Sequence, residues 1–114
     1  MPERDDSTVD GAYEHGLSLS QAGRWFEAHE AFETAWRACE PNDRDFFQGL
    51  VHVVVSAYQH ERGRPRAEES QRQKALRRLG PYVPSYRGLD VAAIVGRLEV
   101  AETDLREELV QRDA

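Results

Sequence analysis

Gly23-Arg24-Trp25-Phe26-Glu27-Ala28-His29-Glu30-Ala31-Phe32-Glu33-Thr34-Ala35-Trp36-Arg37-Ala38-Cys39-Glu40-Pro41 is the stretch on which the fold turns. Wound at about 100° per residue, it puts Trp25, Ala28, Ala31, Phe32, Ala35, Trp36 and Cys39 on one arc and leaves Glu27, Thr34, Arg37 and Glu40 off it. That pattern predicts an amphipathic helix that ends before Pro41. Upstream, Val9, Ala12, Tyr13, Gly16 and Leu17 recur at helical spacing. Ser7 and Asp10 form a capping-box-like start, and Gly23 is a left-handed stop. Downstream, Asn42 or Asp43 caps a third helix through DFFQGLVHVVVSAYQH, apolar over more than half its circumference and therefore the central one. Its valine run favours a strand on propensity, but Gln48, His52, Ser56 and Gln59 line one side only at helical spacing.

A shorter, basic helix is expected over Ala67 to Leu79, with Ala75, Leu76 and Leu79 inward. Gly80, Pro81 and Pro84 end it. Asp90 caps a last helix whose inward stripe is Val91, Ile94, Val95, Leu98, Ala101, Leu105 and Leu109. The fold class is all-α, a compact bundle of about five helices over residues 7–112, with residues 1–6 a disordered tail. Gly23-Arg24, Ala35 and Pro41 recur as Gly63-Arg64, Ala75 and Pro81, which suggests two helical hairpins of similar build. The first hairpin resembles a tetratricopeptide repeat unit through Gly16, Gly23, Ala28, Phe32 and Ala35, with Pro41 one place late.

The 114 residues carry 15 Lys and Arg against 21 Asp and Glu, a net charge of −6 that disfavours nucleic acid and anionic lipid. Arg62, Arg64, Arg66, Arg72, Lys74, Arg77 and Arg78 still make one third of the chain basic; that helix reads as a solvated face. The single cysteine, Cys39, excludes an internal disulfide and a Cys-rich zinc site. No apolar run approaches the ~20 residues of a membrane span, and MPERDDSTVD has neither the basic start nor the apolar stretch of a secretory signal. A cytoplasmic protein is expected, and the sequence admits a homodimer as well as a monomer.

His29 and Glu33 stand one helical turn apart at the border of the apolar arc, between Trp25 and Trp36, where desolvation suits metal ligands and acid/base groups. The string His-Glu-x-x-Glu also places Glu30 where zinc proteases hold their general base. A catalytic zinc needs about three protein ligands, however, and this pair supplies two. His52 is the first candidate for a third and His60 the second. If the polar side of the third helix faces the second, His29, Glu33, Gln48 and His52 meet in one pocket between helices. A hydrogen-bonded network that only orients the two helices explains the same residues. Trp25, Trp36 and Cys39 read as core, Tyr82 and Tyr86 as packing under an extended connection, and His15 as solvent-facing.

GRWFEAHEAFETAWR, followed shortly by FFQGLVH, resembles the signature of the domain of unknown function 309 family, whose members show EAHE-x-x-E-x-x-W and then QGL. The resemblance implies an all-helical bundle in which Glu27, His29, Glu30, Glu33, Trp36, Gln48 and Gly49 are characteristic and the polar ones cluster. It brings no activity with it. The leading expectation is a binding or structural protein with a polar pocket of Glu27, His29, Glu30, Glu33, Trp36, Gln48 and His52 for a small ligand, or for a divalent metal on His29 and Glu33. The alternatives are a hydrolase using the His-Glu pair and a tetratricopeptide-like peptide-binding module whose groove includes Arg72 and Arg77.

Overall fold

The computed structural model describes residues 5–112, which hold five α-helices and no strand. They are α1 (Val9–Gln21), α2 (Trp25–Ala38), α3 (Arg44–Glu61), α4 (Pro65–Leu79) and α5 (Val91–Glu99). No helix among these residues is long and apolar enough to cross a membrane. Of the expected tail, residues 1–4 lie outside the described residues, whereas Asp5 and Asp6 are engaged. The Asp5 carbonyl accepts from the Thr8 backbone N–H, and the Asp6 carboxylate lies 3.3 Å from His15 Nδ1. His15 is therefore half-buried rather than solvent-facing.

The cap of α1 is Thr8, not Ser7. Thr8 Oγ1 accepts from the Gly11 backbone N–H at 3.0 Å, while the Ser7 hydroxyl is drawn to Asp5 Oδ1 at 2.6 Å. The 40-residue recurrence has a conformational cause. Gly23 (φ 73°) and Gly63 (φ 66°) are both left-handed, and the same pair of bonds closes each helix: Arg24 N–H to Leu19 and Gly23 N–H to Ser20, Arg64 N–H to Gln59 and Gly63 N–H to His60. This closure satisfies carbonyls that the end of a helix leaves unpaired. Pro41 and Pro81 each lie in a short 3-10 turn, and Ala35 and Ala75 are fully buried. Two hairpins, α1/α2 and α3/α4, thus stack side by side. Gly16 is what lets α1 and α2 approach within the first hairpin, since a Cβ there would stand 2.4 Å from the Phe32 ring.

α3 is central, with Phe46, Phe47, Leu50, Val53 and Val54 fully buried. Its valines are helical because burial on two sides outweighs β-propensity. α4 starts two residues before the expected Ala67, at Pro65, whose missing N–H is harmless in a first turn. α5 is shorter than expected. Asp90 caps it through the Ala93 N–H at 2.9 Å, but the helix stops at Glu99, and Ala101 is exposed at φ 62° rather than part of an inward stripe. Glu102 N–H to Arg97 and Ala101 N–H to Leu98 close this end as at Gly23. Leu105 and Leu109 are buried all the same, from turns rather than from a helix.

Candidate functional site

The short turn after α2 returns the chain as α3, so the two helices run antiparallel and leave a groove on the outer side of their seam. α2 lines it with Phe26, His29, Glu33 and Trp36, which flank the buried stripe Trp25, Ala28, Phe32 and Ala35. α3 lines it with Gln48, Val51, His52, Val55, Tyr58 and Gln59. Two hollows of about 170 Å³ each are sunk in this groove. Glu33, Trp36, Gln48, Val51 and His52 line one; Trp25, Phe26, His29, Val55, Tyr58 and Gln59 line the other. The second repeats the first one heptad away. Phe26 and His29 become Glu33 and Trp36 on α2, and Gln48, Val51 and His52 become Val55, Tyr58 and Gln59 on α3. At 1.5 Å of rise per residue the hollows are ~10 Å apart.

Between them lies the His29 and Glu33 pair. His29 Nε2 is 3.0 Å from Glu33 Oε1, and Arg37 donates to Glu33 Oε2 at 3.1 Å. A carboxylate only accepts, so Nε2 bears a proton, and in the neutral imidazole the lone pair sits on Nδ1. That atom is buried and has no hydrogen-bond partner. A base whose lone pair is sealed from the groove has no reach to a substrate proton. Binding a metal through Nε2 would break the pair. Among the described residues no three His, Cys, Asp or Glu side chains are grouped to hold a metal ion.

The groove gathers some of the expected residues and separates others. Glu33, Trp36, Gln48 and His52 share one hollow, but His29 belongs to the other. His52 turns away from α2: its Nδ1 is 2.7 Å from Gln71 Oε1 on α4. With the amide oxygen accepting, the proton is on Nδ1. Burial pushes the His52 imidazole below its ordinary value, the Gln71 bond opposes this, and Lys74, Arg78 and Arg77 add to the lowering. His60, the other candidate third ligand, is exposed and faces Glu68 at 3.0 Å. Glu27 and Glu30 leave the groove altogether. They border a shallow depression on the α1 side with Asp6 and His15, and Glu27 is held by Arg24 at 2.8 Å. The polar residues of that short stretch therefore divide between two faces, because neighbouring positions on a helix point 100° apart, about a quarter turn. Arg72 is committed as well, donating to Glu69 and to the Leu98 carbonyl at 2.6 Å.

Trp36 is half-buried and Cys39 likewise. The Arg44 guanidinium lies 5.2 Å over the Trp36 ring, and the indole Nε1, like Gln59 Oε1, is buried without a partner. Phe26, Val51, Val55 and Tyr58 escaped the sequence reading. The one signal was Phe26, an apolar residue off the arc of α2; it is 54% exposed and packs against His29 and Tyr58 at ring distances of 5.7 and 5.8 Å.

Asp43 also has a role that its position did not suggest. It makes no cap bond to α3 and is buried at 8% exposure. Its carboxylate accepts from the Tyr86 hydroxyl and from Arg87 Nε and Nη2 at 3.2 and 2.9 Å. Arg87 (φ 48°) reaches Asp10 with Nη1 at 2.8 Å, lies 5.1 Å over the Phe47 ring, and receives the Tyr13 hydroxyl on its carbonyl at 3.0 Å. Tyr82 and Tyr86 thus bind the turn before α3, Tyr82 through the Asn42 carbonyl at 2.6 Å. This network fixes the N-terminal end of α3, about one turn before Gln48.

No curated protein and no solved structure matches the chain. The family model described as Domain of unknown function (DUF309) matches residues 13–70, from within α1 to the first turns of α4, and so takes in every residue that lines the groove. That match covers just over half of the 114 residues, and the chain belongs to the DUF309 family.

Proposed function

We propose that this protein is a cytoplasmic recognition module whose α2/α3 groove receives one helix of a partner, with two side chains seven residues apart seated in the two hollows. The heptad offset between the hollows carries this reading. Side chains seven apart on a helix lie on one face and ~10 Å apart, which is the spacing of the hollows. Size supports it too. A cavity near 150 Å³ holds a benzene-sized group, so each hollow suits one apolar side chain, whereas small-molecule sites usually run from about 300 to 1,000 Å³. Phe26, Trp36 and Tyr58 give the rim the aromatic character of interface hot spots. The sealed lone pair of His29 weighs against hydrolysis, and the two-donor pair against a metal centre. The lone thiol of Cys39 is consistent with a reducing compartment.

The test is a nuclear magnetic resonance titration with a neutral helical peptide of Ala and Gln bearing two leucines seven apart. A second peptide carries them five apart. The first peptide should shift the Trp36 indole, Val51 and Val55 resonances, and the second should not. Equal shifts from both peptides, or shifts confined to another face, would refute the reading.

A further inference from the structure

The two flanks of the groove differ in charge. On the α2 side, Glu33 is paired with Arg37 and hydrogen-bonded by His29 Nε2. On the other side, beyond α3, α4 lines neither hollow but presents Gln71, Lys74 and Arg78 next to the groove, at positions three and four residues apart and hence on one flank. Gln71 holds His52 there. Arg78 is occupied by Asp45 at 2.7 Å, but Lys74 and Arg77 form no ion pair with any described residue. Their field reaches the groove, since Lys74, Arg78 and Arg77 all act on His52 inside the first hollow. In a chain of net charge −6, an uncompensated positive edge beside an apolar hollow is a local exception.

Resting on the reading of the groove as a helix receiver, we infer that its partner is an acidic amphipathic helix. Two apolar side chains fill the hollows, and carboxylates along one flank face Lys74 and Arg77. Charge complementarity selects acid on that flank and leaves the opposite flank, over Glu33 and Arg37, indifferent. The hollow beside the positive edge distinguishes this partner from nucleic acid. Trp36 and Val51 in its lining suit an apolar side chain, and the negative remainder of the chain repels a long polyanion.

The experiment uses the intact chain and three helical peptides, identical in their two leucines seven apart, whose flank carries Glu, Gln or Lys. Isothermal titration at low salt should rank them Glu, Gln, Lys. Two exposed ion pairs amount to about a tenfold preference for Glu over Gln. The preference should shrink in about 0.5 M salt, where screening acts within a few ångströms. The order should reverse in the Lys74→Glu/Arg77→Glu variant, whose fold is checked by circular dichroism. Equal binding of the Glu and Gln peptides overturns the acidic partner and leaves the helix receiver standing. Failure of all three peptides overturns both. Tighter binding of a short oligothymidylate than of the Glu peptide, abolished by the same variant, would also overturn it and assign the edge to nucleic acid.

Discussion

Replacing Asp43 by Asn tests the network that anchors the groove's α3 end. The amide keeps the shape and can still accept from the Tyr86 hydroxyl, but its NH2 group meets the donors of Arg87. Removing one partner of a buried ion pair costs about 3–5 kcal/mol, because the other charge is left without compensation. Here Arg87 retains Asp10 and its side chain is 26% exposed, so the cost falls to about 2–3 kcal/mol. For a chain of this length that lowers Tm by about 8–12 °C. Urea unfolding followed by circular dichroism measures the loss directly, and a double-mutant cycle with Arg87→Gln isolates the pair. The pH dependence is a second readout. Burial raises the Asp43 carboxyl, but the Tyr86 hydroxyl and the Arg87 guanidinium outweigh burial and hold it below the ordinary value. Its stabilisation is therefore complete above the unfolded value of about 3.9 and is lost as pH falls through the lower folded value. Asp43→Asn should flatten that acid limb. A loss under about 0.5 kcal/mol with no coupling to Arg87 would place the pair among exposed salt bridges and refute the reasoning.

Ala101 holds the left-handed position after α5 that Gly23 and Gly63 hold after α1 and α3. Ala101→Gly should raise stability by about 0.5–1 kcal/mol, the relief of the Cβ clash less the added freedom of the unfolded chain; an unchanged or lower Tm contradicts this. His52 titrates below its ordinary value in the folded chain, so as pH drops below about 6.5 the unfolded chain takes up a proton that the folded chain refuses. Stability should therefore fall with pH across that window, and by less in His52→Gln. Identical urea midpoint shifts for the two proteins between about pH 7.5 and 5.5 would show that His52 is not the group responsible.

Local periodicity and local chemistry were legible. The arc of α2 named Trp25, Ala28, Phe32 and Ala35 as core, and the glycine pairs marked two helix ends, because both signals act within a few residues. The failures have two origins. One is competition between local partners: Asp5, outside the expected cap, takes the Ser7 hydroxyl, and Thr8 caps α1 instead. An alanine likewise accepts a conformation that normally marks glycine, so no breaker announced the end of α5. The other is distance along the chain. Asp43 looked like a cap by position, yet its partners Tyr86 and Arg87 lie more than 40 residues away in an irregular segment with no periodicity. The hollow of Glu33, Trp36, Gln48 and His52 could be sought because polar residues recurred on one side of each helix. Its counterpart at Phe26, Val55 and Tyr58 could not, since an apolar residue on a helix reads as core whichever face it occupies.

The position of the polar pair in the groove bears on how a helix would be held there. Two hollows of similar volume one heptad apart would let a helix with several apolar turns slip by a turn and fill them in more than one register. His29 and Glu33 interrupt the apolar floor between the hollows, and Arg37 completes Glu33 from the rim. A helix shifted by three or four residues would press an apolar side chain onto that pair and desolvate it with nothing in return. Polar residues at single positions of helical interfaces discriminate register in this way, at some loss of affinity. The same geometry explains why the pair need be neither catalytic nor metal-binding to matter. His29 Nε2 and both Glu33 oxygens are already engaged, with each other and with Arg37, and what the pair presents to the groove is a short polar step between two apolar seats.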